Sequence, residues 1–311
     1  MHTLRKPLLP LLFLLFLLTG CASAYRQVAG MAIGFDRERA GLERKEVTLD
    51  DGLRYVYLEG GTGEPLMLLH GFGGNKDNFT RSARHLTPQY RVIIPDHIGF
   101  GESSRPADAD YTPSAQAERL HRLAKALGIR NVHFGGNSMG GQIAMAYVAM
   151  YPDDVGSLWL LNPAGIWNAP RSELADIVLG TGRNPLIARS EEEFAETFAF
   201  VMTDPPFVPR PILNVFAQER IRNADLEERI FAKIATDSVE QRVTGLQTPT
   251  LIVWGDGDRV IHVGTAEVLH KLMPRSQVVV MPGVGHLPMI ERPKESAEDY
   301  LRFRAAVSEG K

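Results

Sequence analysis

The 311-residue sequence has only one cysteine, so it holds no intrachain disulfide framework and no thiolate zinc cluster. It also lacks a basic surplus: 34 Lys and Arg stand against 37 Asp and Glu, and the formal net charge is −3. A nucleic-acid partner is therefore not expected. The nine histidines include no His-Glu-x-x-His motif, and we predict neither a metal nor another cofactor. The overall composition, with 44% hydrophobic and 23% charged residues, is typical of one large globular domain or of a domain with an insertion.

The first 21 residues carry the features of a targeting segment. Arg5 and Lys6 precede an apolar run over residues 8–18. The run ends in Leu-Thr-Gly-Cys at residues 18–21, which resembles the bacterial lipobox, in which the cysteine is acylated and becomes the mature N-terminus. By that resemblance Cys21 is a lipidation site and anchors the protein to a membrane.

A retained signal-anchor helix in the inner membrane is the alternative. The nineteen residues between Lys6 and Arg26 are uncharged, and about 20 apolar residues span a bilayer. Under the lipoprotein interpretation, Ala22 resembles a sorting signal for the outer membrane, with the protein facing the periplasm. Cleavage would leave 32 basic and 37 acidic residues, a formal charge of −5, so the anchor rather than attraction to anionic lipid is expected to hold the protein there.

Residues 22–45 are predicted to link this segment to the globular part. Val28, Met31, Ala32 and Phe35 stand at roughly helical spacing, and charged residues follow them. The pattern indicates an amphipathic helix that either lies at the lipid surface or packs on the domain.

From residue 46 onward, strand and helix patterns alternate as in an α/β protein with a mostly parallel sheet. Apolar runs at 47–49 and 53–58 flank Asp-Asp-Gly and predict a hairpin. Further buried strands are predicted at residues 66–69, 92–94, 132–134, 158–161, 251–254 and 278–281. Residues 166–244 have helical patterns but no strand pattern. We therefore predict a core of residues 46–165 and 245–311, interrupted by a helical insertion.

The insertion is expected to contain three main helices. They are predicted at residues 172–179, 191–202 and 225–235.

A Gly-x-Ser-x-Gly motif at residues 136–140 gives the first candidate for chemistry. Alone the motif is weak, but here it follows a predicted strand and precedes the helical run at 141–150, which is the setting of a nucleophile elbow. Glycines suit this sharp turn because a side chain at either glycine position, two residues before or after the serine, would collide with adjacent backbone. Ser138 is the predicted nucleophile.

A serine hydroxyl needs a base to remove its proton, and the base needs an acid to orient it. In this architecture the chain order is Ser, acid, His. His286 follows the last predicted strand, and Asp258 follows the one before it, so both are expected at the same sheet edge as Ser138. Asp256 is the alternative acid, although its place directly after a glycine is typical of a turn.

A glycine-rich loop at residues 70–74, His-Gly-Phe-Gly-Gly, supplies the predicted oxyanion hole. Its glycines let the backbone approach a substrate and aim an N–H at the carbonyl oxygen. The backbone N–H groups of Phe72 and Met139 are the predicted donors. We expect His70 to order the loop rather than to transfer protons.

Taken together, the chain from residue 46 to its end resembles the α/β-hydrolase family. The matching motifs lie at residues 70–73, 96–103, 136–141, 254–258 and 285–286. The resemblance implies an α/β-hydrolase fold with a mostly parallel eight-stranded sheet, a serine esterase activity, and Asp258 rather than Asp256 as the acid. Within the family the chain is most similar to membrane-attached monoacylglycerol lipases and to bacterial lipases and phospholipases, which residues 162–165 and 288–293 support.

The resemblance also implies that the insertion is a cap whose apolar side chains line an acyl pocket. The candidates are Trp167, Ile177, Leu179, Phe194, Phe198, Phe200, Phe207 and Phe216. The expected substrate is an acyl ester of a lipid: a monoacylglycerol, a lysophospholipid or a phospholipid. No pattern in the sequence indicates an oligomeric state.

Two other functions compete with this one. The Gly-Asn-Ser-Met-Gly-Gly motif also resembles hydrolases that cleave carbon–carbon bonds in ring-fission products, but these typically carry tryptophan where this chain has Leu287. A non-catalytic binding protein of the same fold is the other alternative, and the presence of Ser138, Asp258 and His286 argues against it.

Overall fold

The computed structural model describes residues 9–310, with side chains from residue 23 onward. Its first element is one long helix, α1 (Leu9–Arg39). The predicted targeting segment lies partly outside the described residues, as does the side chain of Cys21, so processing and lipidation stay predictions. In the described part of the chain, no helix is both long and apolar enough to cross a membrane.

An eight-stranded sheet forms the centre of the molecule. The strands are β1 (Leu42–Thr48), β2 (Arg54–Gly60), β3 (Glu64–Leu69), β4 (Tyr90–Pro95), β5 (Val132–Asn137), β6 (Val155–Leu161), β7 (Thr250–Gly255) and β8 (Ser276–Met281). Their order is β1-β2-β4-β3-β5-β6-β7-β8; β2 runs antiparallel to β1 and β4, and the other neighbours pair in parallel. The predicted mostly parallel, eight-stranded α/β fold is confirmed.

Helices cover both faces of the sheet. After α1 they are α2 (Thr80–Ala83), α3 (Pro113–Ala126), α4 (Met139–Met150), α5 (Glu173–Thr181), α6 (Glu191–Val201), α7 (Arg210–Thr236), α8 (Glu240–Val243), α9 (Thr265–Leu272), α10 (Pro288–Glu291) and α11 (Pro293–Ser308). Leu120 of α3 and Ile143 of α4 belong to the core on one face, while Ala83 of α2 and Tyr300 of α11 belong to the core on the other. Central strands are buried on both sides as a result, which explains their continuous apolar runs.

The sheet begins at Leu42, earlier than the predicted start of the core at residue 46. Residues 43–46 are all charged and mostly exposed, yet they pair with β2. They carry no apolar alternation because β1 is an edge strand, where charged side chains discourage pairing with other chains. The boundary between linker and sheet is corrected accordingly.

The helices between β6 and β7 also differ from the sequence prediction in one place. Helix α7 begins at Arg210 rather than at residue 225. Pro209 and Pro211 look like helix breakers, but they stand at the N-cap and in the first turn, where proline loses no helical hydrogen bond. The assignment of residues 166–244 to a cap stays a prediction.

Candidate active site

Ser138 occupies a strained turn between β5 and α4. Its backbone has φ 52° and ψ −119°, a conformation that non-glycine residues rarely adopt. The flanking glycines leave no room for a side chain: a Cβ on Gly136 would lie 2.5 Å from the carbonyl oxygen of Gly140, and one on Gly140 would lie 2.2 Å from that of Leu69. Close packing of backbone against backbone therefore holds the turn, and the serine stands at the carboxyl edge of the sheet.

His286 and Asp258 lie together at the same edge. His286 Nδ1 is 2.8 Å from Asp258 Oδ2, and the two residues are only 5% and 9% exposed. Asp256 is exposed instead, and its Oδ1 accepts a hydrogen bond from the Gly283 N–H at 2.8 Å. The structure thus places Asp258 beside the histidine and Asp256 in a turn.

Four donors converge on the Asp258 carboxylate. Oδ1 accepts from the N–H groups of Val260 and Ile261 at 2.8 and 3.0 Å. Oδ2 accepts from Asn162 Nδ2 at 2.6 Å as well as from His286 Nδ1. A carboxylate so arranged keeps its orientation, and it holds the proton of His286 on Nδ1, which leaves Nε2 as the basic nitrogen.

Two buried asparagines join the loops that carry these residues. Asn137 Nδ2 donates to the carbonyls of His286 and Leu161 at 2.9 and 3.0 Å, which ties the serine turn to the histidine loop. The role of Asn162 as a donor to the acid was not predicted, although the residue belongs to the motif at 162–165. Ser138 and His286 line the same cavity.

The loop at residues 70–74 lies directly against the serine turn. A Cβ on Gly71 would be 3.2 Å from Ser138 Cβ. His70 is fully buried, and burial lowers its pKa, so the ring is neutral. Its Nδ1 lies 2.8 Å from the Gly71 carbonyl oxygen, and its Nε2 accepts from the His97 N–H at 3.1 Å. Both ring nitrogens therefore bind backbone groups and order the loop.

The two predicted oxyanion donors belong to segments that adjoin Ser138. Phe72 follows Gly71 in the loop that contacts the serine, and Met139 is the first residue of α4. The first N–H groups of a helix have no intrahelical acceptor, and the helix dipole adds positive potential there.

The serine opens into a cavity of about 1360 Å³. Of the eight apolar side chains predicted to line it, four do so: Phe194, Phe198, Phe207 and Phe216. The remaining four face elsewhere. Leu179 is 71% exposed, Trp167 Nε1 donates to the carbonyl of Asp237, Phe200 packs beneath the Arg259 guanidinium, and Ile177 packs against the core. Within the described residues, no group of three or more His, Cys, Asp or Glu side chains could hold a metal ion.

Helix α1 lines the same cavity, which the sequence did not predict. Val28, Ala29 and Ile33 are among its contributions. The helix is fixed by a bidentate ion pair in which Arg37 Nε and Nη2 each donate to Asp77 at 2.7 Å. Asp77 follows the loop at 70–74 closely in sequence, so α1 is attached next to the candidate oxyanion hole.

Comparison with known proteins places the chain among hydrolases. A family model described as alpha/beta hydrolase fold matches residues 64–293. Lipase 1 of Psychrobacter immobilis is 47% identical over 302 residues, covering 93% of this chain and 94% of that protein. Monoacylglycerol lipase ABHD6 of Homo sapiens is 29% identical over 78% of this chain and 75% of that protein. The crystal structure of a membrane phospholipase A is 38% identical, with a TM-score of 0.89 over 96% of this chain and 98% of that one.

Proposed function

Because the chain belongs to the α/β-hydrolase family, we propose that Ser138, His286 and Asp258 form a catalytic triad that cleaves acyl esters of lipids at a membrane. The resemblance to this family and to lipases is confirmed, and the protein is a lipase-type ester hydrolase. The observation that carries the triad is the buried His286–Asp258 pair in the cavity of the strained Ser138.

The reaction proceeds through an acyl enzyme. His286 Nε2 takes the proton of the Ser138 hydroxyl as the oxygen attacks the ester carbonyl, and the carbonyl oxygen becomes an oxyanion beside the N–H groups of Phe72 and Met139. Each such donor contributes roughly 3 kcal/mol of transition-state stabilisation. The alcohol leaves with the proton from His286, and water activated by the same nitrogen hydrolyses the acyl enzyme.

The cavity supports a lipid substrate. Four phenylalanines from the insertion line it, and its volume of about 1360 Å³ exceeds the common range for small-ligand pockets. The similar proteins are a lipase, a monoacylglycerol lipase and a membrane phospholipase A. Monoacylglycerols, lysophospholipids and phospholipids are therefore the proposed substrate classes.

Helix α1 supports attachment to a membrane. Apolar side chains that do not line the cavity point outward: Met31 and Phe35 are 60% and 56% exposed, while the small Ala29 is buried. Such a stripe suits a lipid surface next to an anchor. We propose acylation at Cys21 in the outer membrane facing the periplasm, with a retained inner-membrane anchor as the alternative. The intact mass of the purified mature chain distinguishes the two, since an unprocessed Met1 would establish the retained anchor.

Replacing Ser138 by alanine tests the proposed reaction. Ser138→Ala is expected to lower kcat for a p-nitrophenyl ester by roughly 10³- to 10⁶-fold. It should also abolish labelling by a fluorophosphonate, which requires an activated serine. Unchanged esterase activity in this variant would rule out Ser138 as the nucleophile, and an unlabelled wild-type protein would favour the non-catalytic alternative.

The carbon–carbon bond hydrolase is distinguished by its substrate. Leu287 lines the cavity directly after the histidine. Turnover of a ring-fission dienoate faster than a p-nitrophenyl ester would favour that activity over ester hydrolysis.

A further inference from the structure

The guanidinium of Arg220 joins the insertion to the loop that carries the proposed oxyanion donor. Arg220 lies on α7 and its side chain is only 11% exposed. Its Nε donates to both oxygens of Glu227, two turns further along the helix, at 2.8 and 2.9 Å. Its Nη2 donates to the Leu186 carbonyl at 2.6 Å, and its Nη1 donates to the Gly73 carbonyl at 3.0 Å. Three separate segments therefore meet at one side chain.

The loop is shaped to receive this guanidinium. Gly73 has φ +67°, and a Cβ there would lie 2.1 Å from the Arg220 Cζ. The guanidinium carbon also lies 5.7 Å from the centre of the Phe72 ring. That ring makes edge-on contacts with Phe100 of the core and Phe231 of α7, with centroids 5.8 and 5.3 Å apart. Glycine is needed at position 73 both for its backbone conformation and for the approach of the arginine.

The orientation of the Gly73 carbonyl determines the orientation of the Phe72 N–H through one hydrogen bond within the loop. In a planar trans peptide the C=O and the following N–H point in opposite directions. A fixed Gly73 carbonyl therefore sets the direction of the Gly74 N–H, which donates to the Gly71 carbonyl at 3.1 Å. The Gly71 carbonyl in turn sets the direction of the Phe72 N–H. The peptide groups 73–74 and 71–72, joined by this hydrogen bond, thus connect Arg220 to the proposed oxyanion donor.

We propose that Arg220 is a positioning residue that holds the oxyanion hole in its active geometry and makes that geometry depend on the docked insertion. This inference rests on the proposed function, because it takes the Phe72 N–H as the oxyanion donor. Arg220 also lines the cavity, but its hydrogen bonds go to the loop, to Leu186 and to Glu227. Its loss should therefore affect stabilisation of the transition state more than binding of the ground state.

The test compares Arg220→Gln with Arg229→Gln, a matched control on an exposed residue of the same helix whose guanidinium donates to the Asp225 carbonyl of that helix. Loss of a whole oxyanion donor lowers kcat by about 10²- to 10³-fold. We expect Arg220→Gln to lower kcat for a p-nitrophenyl ester by about 10- to 100-fold with little change in KM. Binding of a boronic acid that forms a tetrahedral adduct with the serine should weaken in parallel, while binding of a free fatty acid should not. Arg220→Lys should lie between, because it keeps one donor.

Two further measurements separate positioning from folding. Arg220→Gln leaves the buried Glu227 carboxylate without its partner, which could itself destabilise the protein. The double variant Arg220→Gln/Glu227→Gln removes that carboxylate as well, and we expect it to show the same loss of kcat as Arg220→Gln alone. Hydrogen exchange of the peptide covering residues 70–78 should quicken in Arg220→Gln and not in Arg229→Gln, and this readout does not depend on activity.

A kcat within twofold of wild type, a rise confined to KM, or unchanged exchange at residues 70–78 would overturn the inference. An inactive, unlabelled wild-type protein would instead overturn the proposed function. In that case the exchange comparison would still decide whether Arg220 orders the loop.

Discussion

The carboxyl edge of the sheet and the insertion between β6 and β7 are held in different ways. At the edge, all six residues of β5 are buried, and buried polar side chains such as Asn137 and Asn162 bind neighbouring loops. In the insertion, α5 buries a single residue, Leu174, and α6 buries two. Exposed ion pairs, such as the one between Glu192 of α6 and Arg210 of α7, join its helices.

This difference separates two tasks of a lipid hydrolase. Dense packing fixes the proposed triad to the tolerance that proton transfer and attack require. Helices with few buried residues, such as α5 and α6, open at a lower free energy, which suits the proposed role of the insertion in admitting a flexible acyl chain. Substitutions at the edge should therefore have large effects, and comparable ones in the insertion should have small effects.

The largest effect is expected at the acid of the triad. Asp258→Asn should lower kcat by about 10³- to 10⁴-fold, because an amide at this position no longer holds the proton of His286 on Nδ1. Asp256→Asn, two residues away, should keep kcat within about threefold, since the Asp256 carboxylate binds only the Gly283 N–H. Steady-state kinetics on a p-nitrophenyl ester measures both.

Equal losses in the two variants would contradict this assignment. A loss confined to Asp256→Asn would make that residue the acid and Asp258 a turn residue. Thermal unfolding of both variants serves as the control, because a misfolded variant would lose activity whether or not the replaced residue is the acid of the triad.

Replacing glycine by alanine should change the free energy of unfolding in opposite directions in the two regions. Gly140→Ala would place a Cβ against the Leu69 carbonyl oxygen at the edge, and we expect it to lower the free energy of unfolding by about 3 kcal/mol or more. Gly180 lies in α5 with no atom within 4 Å of an added Cβ. Gly180→Ala should raise the free energy of unfolding by about 0.5 kcal/mol, because alanine loses less conformational entropy in a helix. Urea unfolding midpoints measure both effects, and a destabilised Gly180→Ala would show that α5 packs more tightly than described.

Much of the edge could be predicted from the sequence because its determinants are local. The glycines at 136 and 140 predict a sharp turn, and continuous apolar runs predict buried parallel strands. Three strand ends then bring Ser138, Asp258 and His286 to one edge by topology alone. The choice of Asp258 over Asp256 needed the family resemblance, because spacing alone left both residues open.

Less of the insertion could be predicted, because long-range contacts decide it. Helical periodicity does not tell which face of a helix meets the cavity, and half of the predicted lining residues face elsewhere. The contacts of Arg220 with Gly73 and of Arg37 with Asp77 join residues 147 and 40 positions apart, and no local pattern marks them. Strand β1 was likewise missed over its charged residues, because its pairing with β2 rather than an apolar alternation defines it as a strand.

A further effect is expected on acid stability, and it too separates the regions, because the insertion contains no histidine. His133 lies in β5 with Nδ1 2.9 Å from Ser157 Oγ, and burial followed by the charge of Arg304 lowers its pKa to about 4. A neutral histidine in the folded state stabilises fully above the unfolded pKa near 6.5, and this contribution is lost as the pH falls from there towards 4. Urea unfolding should therefore show stability falling by about 3 kcal/mol from this residue over that range. His133→Asn should flatten the fall in part, since burial also lowers the pKa of His70 and His97. The two proteins should have parallel pH profiles above pH 7, and parallel profiles below pH 6 as well would show that the pKa of His133 is not lowered in the folded protein.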